Sequence, residues 1–133
     1  MVWQLKKALY GLKQASQEWY KKLSKELSLL GFTQIQSDHC VFYKKVNGHH
    51  LIILVYVNNN LIISSSTDLV IQTKKDLSSC FKMMDLGEIH WILNMEVIQD
   101  QKNRTISLCQ SQYIKNILER HGMANCKPAT TPM

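Results

Sequence analysis

Large apolar side chains recur along the chain at two spacings, which distinguish predicted helices from predicted strands. Between residues 16 and 30 they recur every three or four positions, the spacing of an amphipathic helix. These side chains are Trp19, Leu23, Leu27 and Leu30. Gly31 follows directly and favours the end of the helix there.

Two further helices are predicted in the second half of the chain. One covers about 67–81, where Ser65 and Asp68 have the spacing of an N-terminal capping box. Its inward side chains are Val70, Leu77 and Phe81. The other begins at a capping Ser111 and ends before Gly122. Its inward side chains are Ile114, Ile117 and Leu118.

Strands are predicted in antiparallel pairs between the helices. Asn47-Gly48 is a strong hairpin signal, and it joins a strand at 40–45 to a buried strand at 51–57. Asn58-Asn59-Asn60 predicts a second tight turn, because asparagine tolerates the left-handed backbone region better than most residues. A strand at 61–64 follows that turn.

A long strand over 89–98 and a strand over 105–109 complete the pattern, with a polar turn between them. This order predicts an α+β fold, an antiparallel sheet with helices packed on one face. Residues 1–125 are interpreted as one domain, and residues 126–133, with Pro128 and Pro132, as an extended tail.

The charge of the chain bears on its binding partners rather than on its fold. The formal net charge is +6, which favours a polyanion such as RNA or DNA. Lys6, Lys7 and Lys13, with Tyr10 among them, form the best candidate patch, since basic and aromatic side chains suit phosphates and bases. A solvated basic surface is the open alternative.

Other features exclude several classes of protein. No apolar run approaches the ~20 residues that span a bilayer, and no signal peptide is expected. The four cysteines are widely spaced, so a disulfide framework or a zinc site is not expected. These features predict an intracellular protein, cytoplasmic or nuclear, without a metal site or membrane association.

The turn around residue 58 carries the candidate chemistry. Polymerases of the palm type place two adjacent aspartates at the tip of such a hairpin, where they hold magnesium ions. The chain places Tyr56-Val57-Asn58-Asn59 there. Taken alone, the two asparagines are an ordinary turn.

Eight stretches give the chain a resemblance to the reverse transcriptase of copia-type retrotransposons. They are Leu5–Ala15, Trp19–Tyr20, Ser37–Cys40, Leu54–Val57, Phe81–Gly87, Leu93–Val97, Ser111–Ile114 and Lys127–Pro132. The resemblance implies a truncated palm-like fold. It also implies that the segment with Lys6, Lys7, Tyr10, Lys13 and Gln14 lies near the template and the incoming nucleotide.

Departures from the family pattern shape the functional expectation. Asn58 and Asn59 stand where the family has Y-V-D-D, and the strand with the family's first aspartate would precede Met1. We therefore expect no enzyme but an inactive remnant of the Pol polyprotein, without the Mg²⁺ that the family uses. The alternative is a co-opted nucleic-acid-binding or protein-interaction module. A missing strand would also expose a sheet edge and permit self-association.

Overall fold

The protein is described by a computed structural model that covers residue 9 and residues 11–127. This part contains three helices and two antiparallel sheets, which confirms the predicted α+β class. The chain divides into two compact units, which we call unit 1 (residues 1–85) and unit 2 (residues 86–133).

Unit 1 holds a four-stranded antiparallel sheet in the order β1-β2-β3-β4. Its elements are α1 (Lys13–Leu29), β1 (Thr33–Gln34), β2 (Val41–Val46), β3 (His49–Tyr56), β4 (Asn59–Ser64) and α2 (Thr67–Cys80). The predicted Asn47-Gly48 turn joins β2 to β3, with φ of 49° and 84°. Both residue types tolerate this left-handed conformation, so the hairpin signal is confirmed.

The core of unit 1 lies between the sheet and its two helices. Phe42 faces Ile53, and Ile53 faces Ile62, so cross-strand partners align one apolar face of the sheet. Leu23 and Leu27 of α1 and Leu77 of α2 are buried in the same cluster. In this unit, therefore, both helices cover one face, as predicted, and the apolar stripe of α1 is confirmed.

Side chains also attach α1 to the sheet and to the loop before β2. Lys44 Nζ donates to the Leu30 carbonyl over 2.7 Å, at the end of the helix where carbonyls lack partners. The Tyr20 hydroxyl donates to the His39 carbonyl over 2.5 Å and accepts from Gln34 Nε2. Partial burial raises the pKa of the Tyr20 hydroxyl above its ordinary value.

Unit 2 holds a three-stranded antiparallel sheet in the order β5-β6-β7, followed by a helix. Its elements are β5 (Trp91–Ile92), β6 (Met95–Asp100), β7 (Thr105–Cys109) and α3 (Ser111–Arg120). The predicted single strand over 89–98 is wrong. Leu93 and Asn94 adopt φ of 52° and 62°, and this tight turn divides the segment into the β5–β6 hairpin.

The helix ends differ from the predicted caps. The N-cap of α2 is Ser66, without a side-chain cap, so the proposed Ser65 and Asp68 box is wrong. The N-cap of α3 is Gln110, and Ser111 is already helical. No residue of α3 is buried, and Ile114 is 55% exposed, so its predicted inward position is also wrong.

Two further predictions, on the tail and on the domain boundary, are not tested by the described residues. Residues 128–133 lie outside them, so the extended tail and the boundary at residue 126 stay predictions. No helix of the described part combines the length and the apolar character needed to cross a bilayer.

Candidate functional site

The hairpin between β3 and β4 forms the centre of the candidate site. Its turn consists of Val57 and Asn58, and the last strand pair is Tyr56 with Asn59. The predicted turn over Asn58-Asn59-Asn60 is therefore wrong by one to two residues. We call residues 56–59 the tip.

Core packing explains why the turn is displaced from the asparagines. The buried Ile53 faces Ile62 across the hairpin, and a one-residue slip would move a whole set of apolar side chains to the opposite face. This register leaves a left-handed conformation, with φ of 54°, on Val57. The preference of asparagine for turn positions is thus outweighed by the packing of the paired strands.

The tip stands in solvent on a buried support. Tyr56 and Val57 are 54% and 63% exposed, and Asn58 and Asn59 are exposed as well. Val55, directly before them, is 6% exposed and belongs to the core of unit 1. A packed core below an accessible turn holds the backbone of that turn in a defined position.

Helix α1 contacts the tip through one side chain. Trp19 Nε1 donates to the Val57 carbonyl over 3.2 Å. The indole ring packs edge-on against Phe81, with 5.1 Å between ring centroids. Sequence periodicity identified Trp19 as a core residue but gave no signal for this hydrogen bond, because its acceptor is a backbone carbonyl far along the chain.

The side chains at the tip do not fit a magnesium site of the carboxylate type. Asn58 and Asn59 offer neutral amide oxygens, and Mg²⁺ sites are ordinarily built around carboxylates. Within residues 9 and 11–127, no group of three or more His, Cys, Asp or Glu side chains is placed to hold a metal. We therefore derive no chemical step through a metal at this turn.

An amide oxygen just below the tip has no hydrogen-bond partner among residues 9 and 11–127. This atom is the buried Asn60 Oδ1. Asn60 lies in β4 opposite Val55, so this oxygen belongs to the sheet rather than to the exposed turn. It marks a local deficit in hydrogen bonding, which costs free energy in a buried position.

The structure describes only part of the basic segment. Lys6, Lys7 and Tyr10 lie outside the described residues, and Lys13 is the first residue of α1. Gln14 is exposed in the first turn of α1, five residues before Trp19, or roughly 7.5 Å along the helix axis. Trp19, which contacts the tip, therefore lies less than two helical turns after Gln14.

Further lysines follow on the exposed side of α1. Lys21 pairs with Glu18 over 2.9 Å, and Lys22 Nζ lies 5.5 Å from the centroid of the Phe81 ring. Lys25 is also exposed, one turn further along. The helix that contacts the tip therefore carries a row of cations.

Comparison with known proteins identifies the class. Residues 1–133 match the family model described as reverse transcriptase (RNA-dependent DNA polymerase). The chain therefore belongs to the reverse transcriptase family. No solved structure matches it.

The relatives place the chain within a subgroup, the copia-type reverse transcriptases. The Retrovirus-related Pol polyprotein from transposon TNT 1-94 of Nicotiana tabacum is 40% identical over 134 residues, covering 100% of this chain and 10% of the relative. That from transposon RE1 of Arabidopsis thaliana is 37% identical, covering 99% and 9%. The chain thus corresponds to about a tenth of these relatives, in their reverse transcriptase region.

The family assignment corrects the expectation that the protein is no enzyme. The matched family is one of polymerases, and the similarity extends over the whole chain. That expectation gave decisive weight to residues 58 and 59. Two side chains do not set the class of a protein that is similar along its full length.

Proposed function

We propose that the chain is a nucleic-acid-contacting segment of a copia-type reverse transcriptase, acting within a longer Pol polyprotein that copies RNA into DNA. The observation that carries this proposal is the exposed tip, which is supported by a buried core and contacted by Trp19 of α1. The whole-chain similarity to reverse transcriptases supports it.

The side of the sheet opposite the helices supports contact with bases. Odd-numbered residues of β3 face the core, so even-numbered ones, including Tyr56, face the other side. Tyr43 lies half-buried on that side too, opposite Ile52. Tyr56 is the exposed ring of the two, and exposed aromatic rings on a sheet are suitable platforms for base stacking.

Charge supports contact with phosphates, although not every lysine is available. Lys21 and Lys74 form ion pairs with Glu18 and Asp85, and Lys44 donates to a backbone carbonyl. The total of 16 basic residues therefore overstates the cations that a strand of RNA or DNA would meet. The proposed contacts are Lys6, Lys7, Tyr10, Lys13 and Gln14, at or before the start of α1.

The first test reverses the charge of the basic segment. Lys6→Glu/Lys7→Glu/Lys13→Glu should weaken binding of an RNA–DNA hybrid and make the log–log salt slope shallower by about 2 to 3. Fluorescence anisotropy at several salt concentrations measures both quantities. The matched control reverses three exposed lysines elsewhere, Lys75→Glu/Lys102→Glu/Lys115→Glu. Equal losses in both triple variants, or no salt dependence, would contradict the proposed surface.

The second test addresses stacking at the tip. Tyr56→Ala should weaken binding by about 1 kcal/mol or more, the contribution of one stacked base. Tyr113→Ala is the matched control, because Tyr113 is 53% exposed and Tyr56 is 54% exposed. If both variants bind the hybrid as the wild type does, the tip does not contact bases.

We also propose that copies of the chain associate through the outer edge of β4. In the described part, β4 pairs only with β3, and Asn59–Ser64 contains no charged residue and no proline to block pairing. Sedimentation should show concentration-dependent dimers that Ile63→Lys removes. Ile98→Lys, at a similarly exposed position on β6, is the control and should leave the dimers intact.

An intracellular location, cytoplasmic or nuclear, completes the proposal. All four cysteines are free and none is paired in a disulfide, which suits a reducing compartment. Fractionation of cells that express a tagged chain should place it in the cytosolic or nuclear fraction. Recovery from the secreted fraction would exclude this location.

A further inference from the structure

We propose that Trp19 is a positioning residue for the tip, and that its indole N–H holds Val57 in the left-handed conformation that carries Asn58 beyond the sheet. This inference deepens the proposed function, on which it rests, because the tip is one of the two parts of unit 1 proposed to meet nucleic acid. The coupling between Trp19 and the turn is measurable without nucleic acid.

The turn needs support because of its residue type. Val57 has φ of 54°, a region that β-branched side chains rarely adopt. Such a conformation persists when surrounding contacts over-determine it. The carbonyl of Val57 belongs to this residue and accepts the Trp19 hydrogen bond over 3.2 Å. The contact therefore acts directly on the peptide that follows the strained dihedral.

Trp19 is itself held in place by the fold. It packs against the core cluster of unit 1 from α1, and its ring meets Phe81 edge-on, with 73° between the ring planes. Phe81 is buried at the end of α2, where its N–H donates to the Leu77 carbonyl over 2.9 Å. Two helices thus fix the indole that contacts the turn.

Wild-type protein gives the first measurement. The indole N–H of Trp19 should exchange with solvent more slowly than that of Trp91, which is 56% exposed in unit 2. The protein has three tryptophans, so indole nitrogen–proton spectra of ¹⁵N-labelled protein give the two rates once Trp19→Phe and Trp91→Phe have assigned their signals. Equal exchange rates would overturn the proposal, and both rates are measured on the wild-type protein.

Trp19→Phe gives the second measurement, since it removes the donor and keeps an aromatic ring. Amides of residues 58 and 59 should exchange about fivefold faster, the effect of a hydrogen bond worth about 1 kcal/mol. Phe81→Leu is the control that weakens the ring packing and keeps the N–H, so it should alter these amides less. Uniform acceleration across unit 1 would instead show that Trp19 only fills the core.

The double variant tests the strain directly. Val57→Gly removes the side chain that disfavours positive φ. In this background, Trp19→Phe should change the exchange of residues 58 and 59 less than it does in the wild type. An equal change in both backgrounds would show that the hydrogen bond does not support the strained dihedral.

The binding assay separates the two proposals. If Trp19→Phe loosens the tip but RNA–DNA hybrid binding does not depend on Tyr56 or on salt, the positioning role stands and the proposed function fails. If binding follows the proposed function but Trp19→Phe leaves the tip unchanged, the positioning role fails alone.

Discussion

The two units of the chain differ sharply in how much apolar surface they bury. In the described part of unit 1, the core contains nine buried hydrophobic residues drawn from helices, strands and loops. Among the described residues of unit 2, only Val97 is buried, and large apolar side chains such as Ile106 and Leu108 are 70% and 62% exposed. Since apolar burial is the main driving force of folding, stability should concentrate in unit 1.

The hairpins of the two units also differ in what determines the position of their turns. The β3–β4 hairpin imposes a strained turn on Val57, because a packed face fixes its register. The β5–β6 hairpin places its turn on Leu93 and Asn94 with little buried surface beneath it. A well-packed unit can hold an unfavourable backbone conformation. A unit with little buried apolar surface depends more on its local turns and hydrogen bonds.

The greatest loss of stability is expected from a substitution that creates a cavity in unit 1. Leu27→Ala should lower the free energy of unfolding by about 3 kcal/mol, because Leu27 is fully buried. Urea denaturation followed by circular dichroism measures the change. Leu29→Ala is the matched control on the same helix, since Leu29 is 72% exposed, and it should change stability little. Similar losses in both variants would refute the assigned core.

A smaller effect is expected in unit 2. Val97→Ala should reduce the protection of β6 and β7 amides by about 1.5 kcal/mol, the value of two buried methyl groups. Hydrogen exchange should show this loss in unit 2 while β3 keeps its protection. Ile98→Ala, the adjacent exposed position, serves as control. Equal loss of protection in β3 would show that the two units unfold together.

The smallest expected effect is a pH dependence of the β6–β7 hairpin. The backbone N–H and side-chain amide of Asn103 donate to the Asp100 carboxylate over 3.0 and 2.6 Å, which lowers the pKa of Asp100. This stabilisation is fully present above the ordinary carboxyl pKa of about 3.9 and is lost as the pH falls through the lower folded value.

Exchange or chemical-shift measurements of residues 100–105 across acid pH test this linkage. The wild-type hairpin should loosen as the pH falls, whereas Asp100→Asn should respond much less, because it has no carboxylate to protonate. An identical acid response in both proteins would assign the effect to other groups.

Strong periodicity made much of unit 1 predictable. The stripe from Trp19 to Leu30 defined α1, and Asn47-Gly48 defined the β2–β3 turn, because in both cases local preference and tertiary packing agree. The β3–β4 turn was misplaced because asparagine preference pointed to residues 58–60, whereas the pairing of buried residues decides the register.

Predictions for unit 2 were weaker for a related reason. Leu93 gives no sequence signal for positive φ, so the β5–β6 turn was not found from the pattern of residues. Helix α3 has an apolar stripe, yet its side chains are not buried. Amphipathic spacing predicts a helix well, but it does not by itself specify a covered face. For the candidate site, the sequence motif around residues 56–59 identifies the tip. The hydrogen bond from Trp19 to Val57 is visible only in the folded structure.

The attachment of Lys44 to the end of α1 has a mechanical consequence when it is combined with Trp19. One contact comes from the first half of the helix and the other lies directly after its last residue, and both reach the same sheet or its turn. Contacts at two separate points of α1 restrict both its rotation about its axis and its translation along that axis. The lysines on its exposed side should therefore keep a constant distance from the tip, whether nucleic acid is bound or not.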